Sequence, residues 1–207
     1  QNNLGAVLRK LGERRGDEAI LQRAVDAYDA ALTVYTPDAA PVDWAMTQNN
    51  LGAVLRKLGE RRGDEAILQR AVDAYDAALT VYTPDAAPVD WAMTQNNLGA
   101  VLRKLGERRG DEAILQRAVD AYDAALTVYT PDAAPVAWAT TQNNLGVVLK
   151  VLGEGRGDEA VLKRALETHE AALAMFDSVG HTAYAEVARR NRDRAQAALD
   201  RVRGEGG

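Results

Sequence analysis

Residues 48–94 read QNNLGAVLRKLGERRGDEAILQRAVDAYDAALTVYTPDAAPVDWAMT, and this stretch of 47 residues decides the fold. Residues 1–47 are identical to it, and residues 95–141 differ only in carrying Ala137 in place of Asp90 and Thr140 in place of Met93. A fourth copy keeps the frame from Gln142 to Leu173 and then diverges. Self-similarity at a fixed period indicates one supersecondary unit that has been copied, and this period fits a pair of helices stacked along a line.

Each copy predicts two helices. The first, helix A, is expected over 42–59, with Pro41 suited to its first turn. The second, helix B, is expected over 65–82, with Asp64 as its N-cap and Pro84 as its end. Their apolar residues recur at helical spacing. These stripes are Leu51, Val54, Leu55 and Leu58 on helix A, and Leu68, Ala71, Val72, Tyr75, Ala78, Leu79 and Tyr82 on helix B.

The tripeptide Arg-Gly-Asp occurs once in every copy. Gly59 and Gly63 are expected to bracket the turn between helices A and B, and Asp64 then caps helix B. We therefore interpret the tripeptide as a turn and a cap, although it is an adhesion motif in some extracellular proteins. Its four copies begin at Arg15, Arg62, Arg109 and Arg156.

The repeat resembles the tetratricopeptide signature, in which small residues let helices approach and large ones fill the gaps. The residues that carry this resemblance are Leu51-Gly52, Leu55, Ala71, Tyr75, Ala78 and Pro84. The period departs from the family's usual length of about 34 residues, and Gln48 stands where the family often has tryptophan. Residues 47–52 are more similar to the longer repeats of kinesin light chains and their bacterial relatives. The resemblance covers residues 1–173 and implies an all-α fold, a right-handed α-α superhelix of antiparallel helix pairs.

The frame divides the chain into four units and a tail. The units are expected at about 1–40, 41–87, 88–134 and 135–180, with the first helix truncated, and a capping helix with a frayed tail at 181–207. The tail helix carries arginines on its polar face: Arg189, Arg190, Arg192, Arg194 and Arg201. Because the chain starts at Gln1 without a methionine, we expect a fragment of a longer protein. Copies this similar fit recent duplication or a designed protein.

In the family that the repeat resembles, the A helices line a concave face, which implies binding of a peptide or partner domain there. Carrying over the inward positions gives the candidate peptide-binding residues. They are Asn49, Asn96, Asn143, Arg56, Lys57, Arg103, Lys104 and Lys150, with Met46, Ala53 and Met93 beside them. An asparagine amide suits a peptide backbone, and basic side chains attract carboxylates. Two structural interpretations remain open: the asparagines bond neighbouring helices, or the basic residues complement helix dipoles.

Several function classes find no support in the sequence. Cysteine is absent, only two histidines occur, and the net charge is −5, so we expect no metal, no cofactor and no nucleic-acid partner. Near-identical copies do not supply the asymmetric constellation of an active site, and we expect no enzyme. His169, which stands in the place of a tyrosine, is interpreted as a packing substitution. Trp44, Trp91 and Trp138 recur at the unit boundaries and are interpreted as packing between repeats, with ligand stacking as the alternative. The sequence lacks a membrane span and a signal peptide, which favours the cytoplasm.

Two functions from different classes remain. The first is an interaction scaffold that binds a peptide or a partner domain. The alternative is a structural module that associates end to end with other copies, because any exposed repeat end resembles an internal interface.

Overall fold

The structure, a computed structural model, describes residues 1–205; Gly206 and Gly207, in the tail predicted to be frayed, lie outside the described residues. Residues 1–205 form nine α-helices and contain no strand, so the predicted all-α fold is confirmed. The helices are α1 (Asn2–Arg15), α2 (Glu18–Leu32), α3 (Pro41–Arg62), α4 (Glu65–Leu79), α5 (Pro88–Arg109), α6 (Glu112–Leu126), α7 (Pro135–Arg156), α8 (Glu159–Ser178) and α9 (Thr182–Glu205).

Helices A and B of one repeat pack as an antiparallel pair through two glycines. On α3, a Cβ atom added at Gly52 would lie 2.9 Å from the ring of Tyr75, and one at Gly59 would lie 2.9 Å from the Leu68 side chain. Gly52, the earlier glycine of α3, thus meets Tyr75, the later of the two residues on α4, as antiparallel packing requires. Since real Cβ atoms do not approach so closely, only glycine admits helix B at this distance.

Helix A is longer than the sequence predicts, and helix B is shorter. Helix α3 continues past Gly59 through Arg62, and ends only at Gly63, whose φ of 68° is left-handed. The expectation that Gly59 opens a turn is wrong, because this glycine serves a close helix contact inside the helix. Helix α4 ends at Leu79, three residues before the predicted end at Tyr82.

The Arg-Gly-Asp tripeptide is a helix boundary, as the sequence predicts. Gly63 supplies the left-handed residue that ends α3, and the Oδ1 atom of Asp64 accepts hydrogen bonds from the backbone N–H groups of Ala66 (2.8 Å) and Ile67 (3.2 Å). These bonds satisfy two of the unpaired donors at the start of α4. The tripeptide therefore has a complete structural explanation.

The chain divides into two compact units, Gln1–Leu105 and the part that starts at Gly106. In the first unit, α2 packs against both α1 and α3. Trp91 at the start of α5 packs on a cluster that includes Ala78 and Tyr82 from the preceding repeat. This contact matches the predicted role of the tryptophans in packing between repeats.

In the second unit, α9 packs against both α7 and α8. Phe176 of α8 is buried in a cluster with alanines of α7, α8 and α9, and Trp138 packs against the same cluster. Helix α9 begins at Thr182, 47 residues after Pro135 begins α7, so it stands in the register of a further helix A. In that register Asp193 and Asp200 replace the two glycines that admit a helix B.

The glycine contact predicts opposite effects for two Gly→Ala substitutions. Gly52→Ala places a methyl group against the Tyr75 ring and should lower the free energy of unfolding by about 1–3 kcal/mol. Gly155→Ala is the matched control, because it lies inside α7 and an added Cβ has no neighbour within 4 Å among the described residues. We expect it to raise stability by about 0.5–1 kcal/mol through helix propensity. Urea unfolding followed by circular dichroism measures both, and equal effects would contradict the packing argument.

Candidate functional site

The A helices of the first unit present a recurring exposed face. On α3, Val42 is 65% exposed and Met46 is 40% exposed, one helical turn apart; on α5 the equivalent residues are exposed to nearly the same extent. We define the A-helix face as Val42, Met46, Ala53 and Lys57 on α3 together with Val89, Met93, Ala100 and Lys104 on α5. It is apolar where each helix A begins and basic near the other end.

Asn49 lies between neighbouring A helices. Its side chain is 7% exposed, and its Oδ1 atom accepts a hydrogen bond of 3.3 Å from the hydroxyl of Thr94 on α5. The same hydroxyl lies 2.7 Å from the carbonyl of Asp90. The first asparagine of the predicted site therefore joins two helices, which is the structural alternative that the sequence left open. Asn96, its counterpart on α5, is half-buried.

Asn143 joins three helices of the second unit. Its Oδ1 atom lies 3.0 Å from Nδ1 of His169 on α8 and accepts a bond of 3.1 Å from the amide of Asn191 on α9. His169 is fully buried, which agrees with its predicted role in packing. Burial, together with the charge of Lys150, lowers the pKa of His169 to about 4. The imidazole is thus neutral at pH 7, with Nδ1 as the donor to Asn143.

The predicted basic residues are tied to glutamates on their own helices. Arg56 donates to Glu60 over 2.7 Å, and Nζ of Lys57 lies 3.9 Å from the same carboxylate. In the second unit, Lys150 pairs with Glu154 over 2.5 Å, and Arg201 of α9 joins that carboxylate. Arg103 and Lys104 on α5 are half-buried. Each repeat of the first unit has two cations for one glutamate at this position, which leaves an excess of positive charge.

The exposed valines of this face are missing from the predicted site. Val42 and Val89 stand one helical turn before the two methionines and directly follow the proline that begins each helix A. The signal was available in the sequence, since an apolar residue at i−4 from another shares its face. Their exposure, however, depends on how neighbouring helices pack, which the pattern does not give.

A second recurring feature is a small cleft beneath an ion pair. In the first unit it measures about 280 Å³ and lies under the Arg70–Asp29 pair (3.3 Å); in the second it measures about 320 Å³ under the Arg164–Asp123 pair (2.7 Å). Gln48 and Gln142 line the two clefts. Both clefts are open to the surface between packed helices, and the residues that line them do not form a catalytic group.

Metal binding finds no support in the described part of the chain. Within residues 1–205, histidines, aspartates and glutamates nowhere form a group of three able to hold an ion. In the same range, no helix combines the length and the apolar character needed to cross a lipid bilayer.

Four segments match the family model of the tetratricopeptide repeat, at residues 1–32, 44–79, 91–126 and 138–177. The chain belongs to the tetratricopeptide repeat family. Each matched segment covers all or most of one helix A and of the helix B that follows it. Tetratricopeptide repeats typically act as scaffolds for protein–protein interaction and not as enzymes. No curated protein matches the sequence.

Several solved structures are similar to this chain. MamA has 16% sequence identity over 93% of this chain and 95% of its own, with a TM-score of 0.49. BtubC from P. vanneervenii has 19% identity over 95% of this chain and 78% of its own, with a TM-score of 0.46. DHR64, a de novo designed helical repeat protein, has 18% identity over 98% of this chain and 93% of its own, with a TM-score of 0.35.

The buried histidine predicts a pH dependence confined to the last repeat. With a folded-state pKa of about 4 and an unfolded value near 6.5, only the unfolded chain binds a proton between these pH values. Stability from this residue is therefore complete above about pH 6.5 and is lost as the pH falls toward 4. The lost free energy should reach about 3 kcal/mol.

The test compares the wild type with His169→Tyr, which restores the residue of the other three repeats. Urea unfolding at a series of pH values should show the wild type losing stability relative to the variant as the pH falls from about 6.5 to 4. Carboxylates are common to both chains and cancel in the difference. A difference that does not change with pH would mean that His169 does not remain neutral in the fold.

Proposed function

We propose that this protein is an interaction scaffold that binds an extended peptide segment of a partner protein on the A-helix face, the concave face in the family. The observation that carries the proposal is the repeated exposure of the pairs Val42–Met46 and Val89–Met93. Exposed apolar side chains that recur at one position of successive repeats are typical of a binding surface. Methionine in particular adapts its shape to different ligand side chains.

The charges of this face favour an acidic ligand. Arg56 and Lys57 share one glutamate, Glu60, so a carboxylate on the ligand meets net positive charge near the end of α3. The basic residues of the later copies, Arg103, Lys104 and Lys150, stand in the same register. A peptide with apolar residues and, some distance along it, aspartate or glutamate therefore complements both parts of the face.

The asparagines have a supporting role in this proposal. Asn49 bonds Thr94 and Asn143 bonds His169 and Asn191, so their carbonyl oxygens hold helices at fixed distances. A fixed helix spacing orders the exposed residues before a ligand arrives, which lowers the entropic cost of binding. Because the copies are nearly identical, a ligand with a repeated motif gains affinity from each further contact.

The proposal predicts the outcome of a peptide selection. A displayed library of random peptides, selected on the wild-type protein, should enrich sequences that combine apolar and acidic residues. The double variant Met46→Glu with Met93→Glu should weaken binding of the selected peptides by about tenfold or more, because it removes apolar contacts and repels ligand carboxylates. Fluorescence anisotropy with labelled peptides measures this loss.

Val34→Glu is the matched control for that selection, since Val34 is also exposed but lies after α2 and outside the A-helix face. It should leave the affinity within about twofold, below the size of a significant contact. Equal losses in the two variants, or a library that yields no binder, would refute binding on this face.

End-to-end self-association is the second candidate, because an exposed end of near-identical repeats resembles an internal interface. Against it stands α9, which lies in the register of a helix A but carries Asp193 and Asp200 at the two glycine positions, so it does not repeat the contact with a following helix B.

Light scattering distinguishes the two candidates. A scaffold that does not associate end to end keeps the mass of one chain, 22.3 kDa, as the protein concentration rises. End-to-end association instead gives a mass that grows with concentration, and Val7→Asp should then restore the single chain. We expect the first result.

A further inference from the structure

The junction between the first and second repeats contains an arginine side chain that bonds the end of a helix. Arg61 of α3 donates a hydrogen bond of 2.7 Å to the carbonyl oxygen of Gly16, the left-handed residue that follows α1. A Cβ atom added at Gly16 would lie 3.1 Å from the same guanidinium. The positive charge also complements the carbonyl end of the helix dipole. The first unit therefore shows which chemical group fits against this helix end.

The junction between the third and fourth repeats, in the second unit, lacks this arginine. The fourth copy has Gly155 where the second has Arg61, and Val151 where the second has Lys57, so two positive charges are lost. The two ion pairs that join the repeats at the first junction nevertheless recur here. They are Arg156–Glu112 and Arg164–Asp123, the counterparts of Arg62–Glu18 and Arg70–Asp29.

A pocket of about 280 Å³ lies at this junction, lined in part by the two residues that replace the lost cations, Val151 and Gly155. Leu115 of α6 and Leu152 of α7 also line it. Leu115 is 6% exposed, whereas Leu21, its counterpart in the first repeat, is fully buried. The pocket therefore offers apolar surface to a hydrocarbon chain.

The polar side of the pocket has room for a cation. Gly110, the counterpart of Gly16, lines the pocket, and a Cβ atom added there would meet no atom within 4 Å among residues 1–205. Glu107 and Glu112 also line the pocket, and its described lining includes no basic residue. Acidic side chains thus border the helix end that a guanidinium contacts at the first junction.

We propose that this pocket binds the side chain of an arginine carried by a partner protein. The guanidinium takes the place that Arg61 occupies at the first junction, against the carbonyl end of α5, and its methylene groups lie on Leu115 and Leu152. Its planar array of N–H donors suits a backbone carbonyl and a neighbouring carboxylate together. None of the lining residues belongs to the A-helix face, so the two sites are separate.

The acidic residues favour an arginine within a polypeptide over the free amino acid. Free arginine has a carboxylate of its own, which Glu107 and Glu112 would repel. In a polypeptide the same group is part of an uncharged amide.

The probe is Nα-acetyl-L-arginine N-methylamide, which presents one arginine side chain between two peptide groups. Titrated into the ¹⁵N-labelled full chain, it should give saturable shifts of the amide signals of Val151 and Gly155, whose residue types are unique to the fourth copy. The dissociation constant should be about 1–10 mM, as expected for a single side chain.

Three further ligands test the chemistry of the bound group. The citrulline derivative keeps the shape of arginine without its charge, and the lysine derivative keeps the charge without the planar donors. Each should bind at least about fivefold more weakly than the arginine derivative. Free L-arginine should also bind more weakly than its blocked form, because of its carboxylate.

Substitutions at one position test where the probe binds. Gly155→Arg supplies an arginine from the chain itself, in the register of Arg61, and should weaken binding about tenfold or more. Gly155→Ala is the matched control and should leave the affinity within about twofold, since its Cβ atom has no neighbour within 4 Å among the described residues. Both variants should fold, because the other copies carry arginine at this position.

The converse exchange should create a site. Lys57→Val with Arg61→Gly gives the first junction the residues of the later one. The probe should then shift the amide signal of Gly16, which should not respond in the wild type.

Four results would overturn the proposal. The first is no saturable shift, and the second is equal affinity for the citrulline derivative, which would mean an uncharged occupant. The third is undiminished binding to Gly155→Arg, and the fourth is tighter binding of free arginine, which would exclude a partner protein as its source. Because Met46→Glu with Met93→Glu should not alter these shifts, failure here and failure of the proposed function are distinguishable.

Discussion

The close approach of helix A to helix B at two glycines is the constraint on which each repeat depends. Gly52 lies under the ring of Tyr75, and Gly59 lies against Leu68. Gly52 meets the later residue and Gly59 the earlier one, which makes the pair antiparallel, and the equal spacing of seven residues, two helical turns, sets its register. Neither helix buries its apolar stripe alone, so each repeat depends both on this contact and on its neighbours in the array.

The same contact explains what distinguishes α9 from the other A helices. It keeps contacts toward the preceding repeat, including Arg203 with Glu159 and Asn191 with Asn143. At the two glycine positions it has Asp193 and Asp200, both exposed, so a further helix B would bury two carboxylates against its apolar side.

Local features of the fold could be predicted from the sequence, and features that depend on neighbouring helices could not. Asp64 and Gly63 act within a few residues, so their roles as N-cap and left-handed end follow from their types. The sequence alone indicates a turn at Gly59, because the side chain that requires glycine there, Leu68, lies on another helix. The position of Asn49 between two helices likewise depends on its hydrogen bond with Thr94, which lies 45 residues further along the sequence. The family's inward positions located the methionines of the A-helix face and omitted Val42 and Val89, whose exposure is set by packing.

Near-identical copies show which features the array repeats. Val42 and Val89 occupy the same position of successive copies and are exposed to nearly the same extent. His169 shows where the copies differ, because it occupies the position of Tyr75 with the same burial and places an imidazole where the other copies have a phenol. Residues whose exposure is equal in successive copies, such as Met46 and Met93, therefore belong to a surface that the array repeats. Such a repeated surface suits an extended ligand that crosses several repeats.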